Sequence, residues 1–188
     1  MHAMQPPMLD PAFGYLIILG IALLLAVAGG QKIKSIAAFT QVFAAYRVLP
    51  ESLARRTAWL IPCIELAAAA GLLWDSSRRL ALMAAMALLA AYASAVALNL
   101  VRGRRELDCG CGAPGRRRSI AAWMVWRNAV LMLLLAIAAL PWSARVLDAA
   151  DLLTFAGGLT ASVLLYLAVD RLEGEVAPRA MRLVRRAS

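Results

Sequence analysis

Long uncharged stretches separated by short clusters of arginine and lysine dominate the pattern of the chain. Residues 11–31 and 80–101 carry no charge, and residues 57–74 and 120–141 carry one each, Glu65 and Arg127. A fifth apolar stretch covers 152–169. About 20 such residues cross the hydrocarbon of a bilayer as a helix, so each stretch predicts a transmembrane span. Between the first two, Ile36, Phe39, Val42, Phe43, Tyr46 and Leu49 recur at spacings of three and four, with Lys34, Gln41 and Arg47 elsewhere. That is one face of an amphipathic helix, which predicts an interfacial helix ending at Pro50. The expected fold is an all-α integral membrane protein with a four-helix-bundle core in residues 1–141. A fifth transmembrane helix in 142–170 and a basic tail in 171–188 complete it.

Composition agrees with lipid rather than water as the main solvent. Of 188 residues, 63% are hydrophobic and 16% charged, and mean hydropathy is +0.73. Soluble domains run nearer half apolar and a quarter charged. Twenty Lys and Arg against eleven Asp and Glu give a net charge of +9. No segment reads as a nucleic-acid module, and basic loops beside anionic headgroups account for the excess. Assigning loops to alternate sides places 16 basic residues on one face and 3 on the other. The positive-inside rule then predicts an N-terminus outside and a cytoplasmic C-terminus. Ala26-Val27-Ala28 resembles a signal-peptidase site, but residues 1–11 lack the Lys or Arg of a secretory signal, so a retained helix is expected.

Small residues at 67–71 and at Ala87, Ala91 and Ala95 are either surfaces for close helix approach or lipid-compatible filler. Trp59, Trp74, Trp123 and Trp142 fall near span ends, where an interfacial belt is expected.

Chemistry is concentrated in few residues. Cys109 and Cys111, separated by Gly110, follow the third span in a Gly-rich loop. Two thiols so close can join only in a tight, strained ring, which would make a labile disulfide. Neighbouring arginines favour thiolate, the species that exchanges disulfides and binds soft metals, although Asp108 opposes them. A redox dithiol is the preferred reading, with Cu(I) or intersubunit metal binding and two cysteines of no consequence as alternatives. No closed metal site is expected within the chain, because His2, its only histidine, falls on the other predicted face. Cys63, inside the second span, reads first as a small buried hydrophobe and second as a third thiol within reach of the loop.

Glu65 and Arg127 enter their spans from the same side to similar depths, roughly 11 to 12 Å. Isolated charges there are costly, so a Glu65–Arg127 ion pair facing the bundle interior is expected, with Asn128 and Asn99 adding polar groups nearby. Such a pair would fix helix packing, or serve binding or proton transfer; a quinone head is the small ligand it would suit. No phosphate loop, hydrolase carboxylate pair or Ser-His arrangement is present, which sets soluble enzyme classes aside.

The ordered set Lys32, Phe43 to Tyr46 with Leu49-Pro50, Pro62 with Glu65, Arg102-Gly103-Arg104, Asp108-Cys109-Gly110-Cys111 and Arg127-Asn128 resembles the methylamine-utilisation MauE family of DoxX-like membrane proteins. The resemblance covers approximately residues 12–140. It implies a helical-bundle protein of the bacterial inner membrane, linked to maturation of the disulfide-rich beta subunit of methylamine dehydrogenase alongside a thioredoxin-like partner. In this chain Gly112-Ala113-Pro114-Gly115 replaces the usual Phe-Gly after the cysteines. Two readings of function follow. One is a membrane component of a thiol-disulfide pathway acting through Cys109 and Cys111; the other is a non-enzymatic assembly factor or chaperone for a redox protein. The implied maturation is periplasmic, whereas the charge tally puts the cysteines in the cytoplasm.

Overall fold

Asp10 opens the first helix by accepting a hydrogen bond from the Ala12 amide at 2.8 Å, with Pro11 at the first helical position. Both are favoured at a helix start, where amides have no partner inside the helix. The computed structural model describes residues 8–107, 119–161, 163 and 164. Within them α1 is Pro11–Lys34, α2 Ile36–Ala45, α3 Glu51–Thr57, α4 Leu60–Leu72, α5 Asp75–Val101 and α6 Ala122–Ala138. A further helix, α7, is Ala149–Ala161. Among the described residues, the extended pairing is confined to a single bridge between Leu9 and Trp142.

The first compact unit ends at Arg145. In it α1 packs on α4, α4 on α5, α5 on α6, and α6 returns to α1, closing a four-helix ring. Ile18, Leu25, Leu72, Leu89 and Leu135 are almost wholly enclosed in its centre. The ring is close-packed between α1 and α4 because residue 29 is glycine. A methyl group there would meet the Pro62 carbonyl oxygen at 3.1 Å and the Leu66 side chain at 3.0 Å.

The outer surface is as apolar as the core: Phe13, Val27, Leu80, Met83, Trp126 and Leu133 are all exposed. Helices α1 and α5 are long and apolar enough to cross a membrane. They reach roughly 36 and 40 Å at 1.5 Å per residue. By the same measure α4 and α6 reach only about 20 and 26 Å. The chain has the features of a membrane protein, an apolar exterior on long apolar helices.

The second expected span is divided by its own sequence. Pro62 lacks an amide hydrogen, so the helix restarts at Leu60 with the proline in its first turn, after α3 ends at Thr57. The interfacial helix expected to end at Pro50 stops instead at Ala45. Arg47 follows with φ +49°, a left-handed conformation that ends the helix before the proline restricts Leu49. Pro50 then starts α3.

The C-terminus of α5 closes with glycine chemistry. Gly103 has φ +72°, its amide donates to Leu100 O, and the Arg104 amide donates to Asn99 O. This Schellman arrangement ends the helix and turns the chain back across the end of the ring.

The alanine ridge sorts itself between the two readings. Ala87 and Ala91 are exposed, and Ala81, Ala85 and Ala93 are the alanines that α5 buries. The lipid-compatible filler therefore describes Ala87 and Ala91. Trp59 and Trp74 are exposed near helix ends, but Trp142 is a packing element, its ring 4.9 Å from that of Tyr15.

The second unit begins at Val146. The Asp148 side chain accepts from the Asp151 amide at 3.0 Å and the Asp151 side chain from the Asp148 amide at 2.8 Å. This reciprocal capping starts α7. The remainder of the expected fifth span and the basic tail lie outside the described residues.

Candidate functional site

The buried face of α1 runs through Ile18, Leu25 and Gly29 to Lys32, so the helix itself carries a lysine into the ring. On α4 the buried face is Pro62, Glu65, Ala68, Ala69 and Leu72, which places Glu65 opposite. Lys32 Nζ donates to Glu65 Oε1 at 2.6 Å, with side-chain exposures of 4% and 0%. Tyr92 of α5 donates its hydroxyl to the same oxygen, also at 2.6 Å. The ammonium lies 5.3 Å from the Tyr92 ring centroid and 5.6 Å from that of Phe39 on α2. One buried cation thus touches side chains of three other helices. Both donors of the cluster converge on Oε1, while Oε2 is buried without a hydrogen-bond partner.

The expected Glu65–Arg127 pair is corrected by this geometry: Lys32 is the cation beside Glu65. The reason is helical continuity. The uncharged run stops at Gln31, but α1 continues to Lys34, and the spacing of 25, 29 and 32 keeps Lys32 on the inward face. It had been counted as a loop base. Arg127 lies over the Trp123 ring at 5.1 Å, and its Nε is buried without a hydrogen-bond partner. Asn128 is buried beside it in sequence. Glu65 itself is fully buried. Tyr92 was missed by the sequence reading; its signal was a phenolic hydroxyl within an otherwise apolar span.

A second polar junction ties the end of α5 to the end of α2. Asn99, fully buried, donates to Tyr46 O at 3.1 Å and Ala95 O at 3.0 Å, and its Oδ1 accepts from Arg104 at 2.9 Å. Arg104 also donates to Ala45 O at 2.8 Å. The last carbonyls of a helix have no partner within it, and these two side chains supply partners for α2. Asn99, expected only as a nearby polar group, is the keystone of this junction.

Beyond it the Ile120 amide donates to Leu107 O at 3.0 Å. Ile120 packs in a cluster with Tyr46, Val96 and Met124. Leu107 and Ile120 are thus tied together in one neck. Cys109 and Cys111 lie outside the described residues. Cys63 is a free thiol exposed on the outer face of α4, so it is not the core hydrophobe expected.

The family described as "Methylamine utilisation protein MauE" matches residues 10–141. Three proteins named "Methylamine utilization protein MauE" are similar over most of their length. That of Paracoccus versutus is 39% identical, covering 91% of this chain and 92% of the relative. That of Paracoccus denitrificans is 36% identical over 82% and 83%, and that of Methylorubrum extorquens 34% over 79% of each. No solved structure matches the chain. With the family match spanning the whole four-helix ring and relatives this similar, the chain belongs to the MauE family.

Proposed function

We propose that this chain is a multi-pass component of a bacterial inner membrane that serves a thiol-disulfide pathway in methylamine utilisation. Cys109 and Cys111 exchange a disulfide with a thioredoxin-like partner, toward maturation of a disulfide-rich client such as the beta subunit of methylamine dehydrogenase. In each exchange one disulfide passes between the two proteins, and the two electrons and two protons pass the other way. The ring helices and α7 are the spans, with the N-terminus outside and the C-terminus in the cytoplasm, and a quinone or a partner protein completes the relay between the cytoplasmic dithiol and the periplasmic client.

The observation that carries this reading is the neck. The Leu107–Ile120 hydrogen bond and the Asn99–Arg104 junction fix both ends of the segment that bears the Cys-Gly-Cys motif. Tying Leu107 to Ile120 fixes where the two flanks of the dithiol motif stand, which suits recognition by a protein partner. The buried Lys32–Glu65–Tyr92 cluster holds the ring that supports this neck.

The test is maturation of the client in cells carrying Cys109→Ser with Cys111→Ser. Loss of maturation, with a mixed disulfide to the thioredoxin-like partner trapped by either single variant, is the expected result. Intact maturation in the double variant sinks the exchange and leaves a non-enzymatic assembly factor. Labelling in intact cells with an impermeant thiol reagent reads the side: labelled Cys109 or Cys111 overturns the cytoplasmic placement.

A further inference from the structure

Helices α2 and α3 add little to the core, each burying one residue, Phe39 and Ala54. Their outward surfaces mix two chemistries that water does not favour side by side. On these helices Ile36, Leu53 and Arg56 are exposed, and so are Lys34, Arg47, Trp59 and Leu60 in the segments that flank them. The turn after α5 adds exposed Arg102 and Arg105 at the same end of the ring. Acidic groups there are few. Glu51 is already paired with Arg55 at 2.7 Å, which among the described residues leaves Glu106 against five bases.

At the opposite end of the ring the balance is different. Asp10 pairs with Arg145 and Asp75 with Arg78, leaving Arg79 as the extra base. Among the described residues one end is therefore close to neutral and the other strongly basic. Basic side chains gathered around exposed tryptophan and leucine match an anionic phospholipid layer. Its phosphates answer the charge, at about 1 kcal/mol per base near the surface, and its upper acyl chains take the apolar residues.

We propose that the α2–α3 arm, with the Arg102–Arg105 turn, is a seat for anionic phospholipid. The inference rests on the membrane reading above. It gives the arm a purpose in the fold, because both attachments of α2 lead inward. Phe39 lies against the Lys32 ammonium, and the Ala45 and Tyr46 carbonyls are held by Arg104 and Asn99. Lipid that holds α2 down also holds the cover over the buried ion pair.

The test uses the full chain in nanodiscs of phosphatidylcholine mixed with phosphatidylglycerol, with the lipids retained through detergent exchange counted by native mass spectrometry. Retention of phosphatidylglycerol over phosphatidylcholine by on the order of tenfold is expected. It should fall toward parity in the variant Lys34→Gln, Arg56→Gln, Arg105→Gln, and stay unchanged in Arg79→Gln. Equal retention of the two lipids by the unaltered chain overturns the seat. A preference untouched by the triple variant does so too, and would leave the basic arm for an acidic protein. Flotation with pure phosphatidylcholine vesicles under alkaline extraction reads the membrane assignment separately. A chain that floats without lipid preference loses only the seat; one that fails to float loses the membrane reading itself.

Discussion

The two ends of the four-helix ring are fastened by opposite means. At one end Lys32, Glu65, Tyr92, Asn99 and Arg104 form directed bonds among enclosed groups. At the other, Trp142 fills the space over Gly14 and stacks edge-on with Tyr15, with the Arg78 guanidinium 4.9 Å from its ring. The charges there sit at the surface, Arg145 and Asp10 being 38% and 39% exposed. Buried polar bonds fix which groups meet, because a wrong partner leaves a charge unpaired; aromatic packing fixes only volume. The first kind of end is suited to holding a precise base for chemistry, and the second to closing the ring.

The largest test of that contrast is Glu65→Leu. It strands the Lys32 ammonium and should cost about 3–5 kcal/mol in reversible unfolding in detergent. The double variant Glu65→Leu with Lys32→Met should recover most of the loss. A double variant no better than the single one would falsify the claim that the two charges act as a pair. Next, Tyr92→Phe removes one hydrogen bond to a charged group, a loss of about 1.5–3 kcal/mol. Because Lys32 remains on the same oxygen, an effect as large as that of Glu65→Leu would show the hydroxyl to be the main partner.

At the aromatic end, Gly14→Ala places a methyl group 2.7 Å from the Trp142 ring. Overpacking of that kind costs about 1–3 kcal/mol. Trp142→Leu in the same chain should relieve the clash, which a comparison of melting temperatures will show. Smallest of all is Asp10→Asn, which weakens an exposed ion pair and should change stability by no more than about 1 kcal/mol. Because Asn keeps the oxygen that caps the helix, a larger change would mean that the charge of Asp10 matters more than its exposure suggests.

Hydrophobic periodicity read much of this architecture and failed where a helix outran its apolar run. The cores of α1, α5 and α6 follow the apolar stretches 11–31, 80–101 and 120–141, although α1 and α5 run past theirs. Lys32 was lost because counting charges ends a span at its first lysine, whereas a helix ends where its hydrogen bonds do. Glu65 was legible as a buried charge needing a partner, but partner choice depends on which helices are neighbours in the ring, and no spacing within one segment encodes that. Cys63 misled for a related reason. An apolar surrounding in sequence does not distinguish the inside of a bundle from its outer face when both are apolar. The break at Arg47 left no apolar signal, since Tyr46 and Leu49 continue the pattern across it.

The ion pair also bears on how the chain is made. Lys32 lies near the end of α1, within reach of an aqueous boundary, so α1 can enter a bilayer without help. Helix α4 is the shortest of the ring helices and carries Glu65 well inside it. Synthesis proceeds from the N-terminus, so the lysine is already in place when the glutamate emerges. The first helix thus carries the partner that the buried glutamate of α4 requires.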